Sequence, residues 1–138
     1  MRIEGWQKAF WSHVARYRLE PFVWGVHDCA LFAARGVDAI RGTTTANEIY
    51  RDFTVNSAAD YLRVIKEHGS LAEMVEARFG AVVGPRMPVS WCSIGDVLVL
   101  RYEERDILGL HEGHHAIAPG MTHLEVLPLE IAVAGWKI

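Results

Sequence analysis

Cys29 is the residue whose type and position most directly suggest chemistry. It stands in FVWGVHDCALFAARGV, directly after Asp28, where an extended segment gives way to an apolar helical pattern. A thiol at a helix N-terminus lies beside unpaired backbone amides and the positive end of the dipole, which favours thiolate, the nucleophilic form. The same residue in the same place is equally a small buried hydrophobe on a helix face. A cysteine nucleophile also needs a base within hydrogen-bond reach, usually a histidine held by a third group. The chain has seven histidines. His27, two residues before the cysteine on the entering loop, is expected to point elsewhere. His13 and His68 fall on polar helical faces and read as solvated. His111, His114, His115 and His123 fall in the strand-rich half, where a partner for Cys29 is expected. Of these, His111, His114 and His115 are the candidate bases.

Other chemistry is less well supported. The four histidines of the second half match no closed zinc spacing, and neither cysteine has a second one near it, so no metal and no cofactor is expected. The pair Cys29 and Cys92 is too sparse for a disulfide framework and reads as two independent reduced thiols. Asp96, in SIGDVLVL, reads as a turn aspartate that satisfies local amides ahead of a strand. Trp24, Trp91 and Trp136 read as core or interface anchors.

The elements that must position these residues follow from their periods. Ile3, Trp6, Phe10, Val14 and Tyr17 recur at steps of three and four, the pattern of an amphipathic helix that ends before Pro21. Phe22 to Val26 is short and extended. Asp28 is a plausible N-cap for a buried helix that runs from Cys29 through Phe32, Ala33, Gly36, Val37 and Ile40 to a C-cap at Gly42. The polar stretch TTTANEIYRDF reads as a loop. Ser57 then caps a helix that ends at Gly69, and Ser70 caps another that ends at Gly80. Gly84, Pro85 and Pro88 break the helical pattern. Beyond them VLVLRY, ILGLHEG, HHAIAP, HLEVLPL and AGWKI read as short strands joined by tight turns. Helices first and an antiparallel strand meander second describe an α+β class, not alternating βαβ units.

Composition bounds the function classes. A length of 138 residues, half of them apolar, suits one domain over 1–138 with its own core. A net charge of −3 and the lack of any Lys/Arg run argue against a nucleic-acid partner. No apolar run is long enough for membrane insertion, and charges interrupt the first 20 residues, unlike a secretion signal.

The pieces FVWGVHDCALFAARGVDAIRG, IGDVLVL, LGL and LEVLPLEIAVAGWKI, in this order, resemble a family of small uncharacterised proteins from the tail-gene clusters of siphophages, prophages and gene-transfer agents. That family in turn is similar to a divergent branch of the NlpC-type papain-like cell-wall cysteine peptidases. The resemblance implies a papain-like fold in which Asp28-Cys29 matches the aspartate–cysteine pair that opens the central helix. Gly95-Asp96 matches the glycine–aspartate pair ahead of the first strand. The family's catalytic histidine begins the next strand, and two registers compete for it. In the first, Gly109 takes the strand's glycine and Ile107 stands where the histidine should be. In the second, the strand starts at His114, with Ala116 and Ile117 following and His123 on the next strand, at the cost of an insertion. The first is the closer match to the family, and it implies a retained fold with degenerate catalysis.

The expected function is therefore a structural component of a phage-like tail tip or baseplate hub, a virion protein assembled in the bacterial host cytoplasm. Its partners would be other tail-tip or baseplate proteins. The alternative is an active cysteine peptidase or amidase that cuts peptidoglycan peptides during genome injection. There Cys29 would be the nucleophile, one of His111, His114 or His115 the base, and helix-start amides would hold the oxyanion. An assembly factor that leaves before the particle matures is a third expectation.

Overall fold

The apolar period of the first half produces five helices, seen in a computed structural model that describes residues 1–138. They are α1 (Trp6–Tyr17), α2 (Cys29–Arg41), α3 (Thr45–Arg51), α4 (Ala58–His68) and α5 (Leu71–Phe79). Their ends are set by the expected chemistry. The Asp28 carboxylate accepts from Leu31 N at the start of α2, and Gly42, at φ 67°, closes it by donating to the Asp38 carbonyl. The Ser57 and Ser70 hydroxyls accept from Asp60 N and Glu73 N at the starts of α4 and α5.

One helix lies where a loop is expected. TTTANEIYRDF contains α3, whose buried residues, Ala46 and Tyr50, are four apart and share a face. Its first turn is capped from a distance. The Asp38 carboxylate, on α2, accepts from Ala46 N at 3.0 Å and Asn47 N at 2.9 Å. A cap supplied by another helix leaves no local signature, so the polar composition reads as loop.

Six strands follow: β1 (Arg86–Met87), β2 (Val97–Tyr102), β3 (Arg105–His111), β4 (Ala116–Pro119), β5 (Leu124–Leu127) and β6 (Ala132–Trp136). They form one antiparallel sheet in the order β1-β6-β2-β3-β4-β5. β2 to β5 are a meander as expected. β6 departs from it by crossing back to pair with β2, placing Trp136 opposite Val97, where it is fully buried. β1, inside the Gly/Pro breaker, is a two-residue edge that pairs with β6.

α2 lies at the centre, against α1 and α3 on one side and the sheet on the other. Ten of its 13 residues are buried, as a helix packed on both sides requires. Gly36 lets it close on β3, since a Cβ there would lie 2.6 Å from Leu110 Cδ1, itself fully buried. Val97, Val99, Leu108 and Leu110 face this helical core. The alternate residues Leu98 and Leu100 face a smaller cluster with Ala116, Ala118 and Leu127. Both sheet faces are thus covered, which is why Val97–Leu100 reads as a continuous apolar run. The fold is α+β.

Candidate functional site

Cys29 is the first residue of α2, and its sulfur is turned into the core with 3% of the residue exposed. Its side-chain hydrogen-bond partner is Tyr61 Oη, at 3.4 Å, brought over it by α4. Trp24 covers Tyr61 in turn, with ring centroids 5.2 Å apart. Beside the thiol, Asp28 is fully buried. Its Oδ1 accepts from Leu31 N at 2.9 Å, and its Oδ2 accepts from Gly25 N at 2.9 Å and from Tyr50 Oη at 3.4 Å. Two tyrosines from two helices therefore close over the Asp28-Cys29 pair.

The electrostatics follow from this closure. Burial pushes the Cys29 thiol up to about 11, and the neighbouring Asp28 carboxylate adds to the rise. The Tyr61 hydroxyl and the backbone of Leu108 and Ala30 favour thiolate but do not reverse it. A helix terminus contributes about 0.3–1 kcal/mol at an exposed position, less than one pKa unit, so desolvation of a closed thiol wins. Burial also raises Asp28, against the hydrogen bonds it accepts, and raises Tyr61 well above its ordinary value.

No imidazole joins the thiol at hydrogen-bond distance; its neighbours are phenol and backbone. His111 ends β3 three residues beyond Leu108, roughly 10 Å along a strand. It is buried at the Asp96 end, where its Nδ1 accepts from Gly113 N at 3.0 Å. Burial lowers its pKa, with Asp96 and Glu112 opposing. His114 and His115 lie exposed in the β3–β4 turn, where Glu112 Oε1 accepts from both their backbone amides and contacts His115 Nδ1 at 3.2 Å. His123 lies in the β4–β5 turn, bonded to Thr122 Oγ1. The structure thus brings none of the three candidate bases to Cys29. Ile107 does not stand opposite the sulfur either. It pairs with Leu100 and packs at the margin of both core clusters, and the sulfur meets the backbone of Leu108.

Two other histidines differ from expectation. His13 is buried between α1 and α2 and not solvated. Its Nε2 donates to the Phe32 carbonyl at 2.9 Å, and its ring stacks on Phe32 at 4.7 Å. Burial lowers it to about 4. His68 is half-buried, with Nδ1 donating to the Val64 carbonyl one turn back. His27 does point away from the sulfur, stacking on Tyr17 at 5.1 Å with both ring nitrogens unpartnered.

Asp96 satisfies the local Ser93 amide at 2.8 Å, as a turn aspartate should, but does more. Fully buried, it meets Arg2 at 2.9 Å, Lys137 at 2.8 Å and the Ile138 amide at 3.0 Å. Trp136 anchors the core, Trp24 covers Tyr61, and Trp91 stands 66% exposed. Tyr50 and Tyr61, which decide the state of the site, carry no signal in the sequence beyond their places on helix faces.

A family model described as a domain of unknown function, DUF6950, matches residues 1–138. The chain belongs to that family. No curated protein and no solved structure matches it. In this DUF6950 chain no three His, Cys, Asp or Glu side chains gather to hold a metal ion, and no helix is long and apolar enough to cross a membrane. The Asp28-Cys29 arrangement, as closed by the two tyrosines, sets the thiol against a phenol, a carboxylate and backbone, with no imidazole at hydrogen-bond distance.

Proposed function

We propose that this chain is a structural component of a phage-like tail tip or baseplate hub, built on an NlpC-type papain-like fold whose catalysis has been lost. The observation that carries the non-catalytic reading is the surroundings of the Cys29 sulfur: buried, under Tyr61, and beside the backbone of Leu108 where a base would be needed. The NlpC assignment is supported by Asp28-Cys29 opening the central helix and by Gly95-Asp96 preceding β2. It is also supported by α2 packing along β3, the strand that carries LGL. The tail assignment is supported by the order of sequence pieces shared with tail-cluster proteins.

A docking role fits the surface. The segment after α1 and the β4–β5 turn are bonded to each other through Phe22 N and the Met121 carbonyl at 3.2 Å. Together they expose the apolar side chains of Leu19, Val23, Val26 and Met121, which suit a protein partner. The partners are other tail-tip or baseplate proteins, and the place of the chain is the virion tail after assembly in the host cytoplasm.

Quantitative mass spectrometry of purified particles tests the reading. Stoichiometric presence, with Cys29→Ala particles assembled and infective at the parental level, is the expected result. Presence in lysates but absence from particles would identify an assembly factor instead. Loss of infectivity in particles of normal composition carrying Cys29→Ala would restore the peptidase reading.

A further inference from the structure

Apart from Cys29, the molecule has an open cleft of about 550 Å³ on its surface between α1, α2 and α3. Arg16, Arg35 and Arg51 line it, one from each helix. The salt bridges of the chain use Arg2, Arg63, Arg86 and Arg101 but none of these three. Arg35 donates to the Val26 carbonyl at 3.0 Å, and the Arg35 and Arg16 guanidinium groups lie 5.2 and 5.3 Å from the centre of the Tyr17 ring. The one carboxylate in the lining is Asp38, and its oxygens already accept from Thr43 Oγ1, Ala46 N and Asn47 N. Three arginines without a carboxylate partner thus line one depression, on a chain whose net charge is −3.

We propose that this cleft binds a phosphate group, free or carried on a small molecule, through Arg16, Arg35 and Arg51. Three guanidinium groups carried by three helices offer donors enough for a tetrahedral anion with three or more free oxygens, more than a planar carboxylate with two can use. The Ser12 hydroxyl, also in the lining, adds a neutral donor of the kind phosphate sites use. A long polyanion fits less well, because the negative net charge opposes it outside the cleft. The site shares no residue with the Asp28-Cys29 pair and stands whatever becomes of the tail reading.

The test is a titration of the isotope-labelled full chain, followed by amide chemical shifts at constant ionic strength. Pyrophosphate, a sugar phosphate, citrate and a short DNA duplex are the probes. The expected result is saturable binding of the two phosphate probes at about millimolar concentration or below, with shifts confined to the cleft walls. Tighter binding of the sugar phosphate assigns the site to an organic phosphate, and tighter binding of pyrophosphate to the free anion. Arg16→Gln and Arg51→Gln, whose side chains have no carboxylate partner to lose, should each weaken binding about tenfold. Arg105→Gln, on an exposed part of β3, should leave it unchanged. Absence of saturation, equal loss in the Arg105 variant, or citrate or DNA binding more tightly than either phosphate probe would overturn the proposal.

Discussion

A thiol whose pKa stands near 11 carries almost no thiolate at neutral pH, and Cys29 is also closed to solvent. Native Cys29 is accordingly expected to react with iodoacetamide at least about 100-fold more slowly than an unfolded cysteine, a rate that mass spectrometry of the modified peptide reads directly. Tyr61→Phe removes the hydroxyl partner and should lower stability by about 1 kcal/mol in urea unfolding without making the thiol reactive. His13 shows the same dominance of burial with the opposite direction of shift. Its folded pKa of about 4 lies below the ordinary 6.5, so between those values the unfolded chain binds more protons. The stability present above about pH 6.5 is lost as pH falls towards 4, by about 3 kcal/mol for this group alone. His27, also lowered by burial, adds in the same direction. Urea midpoints measured across this window should fall, and the fall should be shallower in His13→Phe, which keeps an aromatic ring against Phe32.

Among the elements, those with their own caps and their own period are legible in the sequence. α2 is announced by Asp28 before it and Gly42 after it, and α4 and α5 by Ser57 and Ser70. α3 is not, because its cap is Asp38, on a different helix. Asp38→Ala should therefore act on α3 more than on α2. The expected cost is about 2 kcal/mol, from a lost cap and newly unpaired amides. Hydrogen exchange should quicken first in residues 45–51, and uniform loss of protection along the chain would contradict this. β6 is legible as a strand, but its place is not. Alternation fixes which face a residue takes, whereas the choice of β2 as neighbour depends on where Trp136 can be buried.

For the molecule as a whole, Asp96 ties the two ends of the chain to the start of the sheet through Arg2, Lys137 and the Ile138 amide. A fully buried carboxylate with these partners is costly to remove. Asp96→Ala is expected to destabilise the fold by about 3 kcal/mol, seen as a lower midpoint of a single cooperative unfolding transition. The sequence by itself determined the α+β class, the amphipathic period of α1, the three helices with local caps, the strands from β2 onward, and the seat of Cys29 at the head of a buried helix. Those features depend on period, caps and turns, which act over one or two helical turns of chain. Only the tertiary structure decided what that seat means. Tyr61, the sulfur's partner, is 32 residues away, and Arg2 is 94 from Asp96. The three arginines of the cleft likewise come from three separate helices. Burial and charge pairing are set by what packs against a group, and local order carries no record of it.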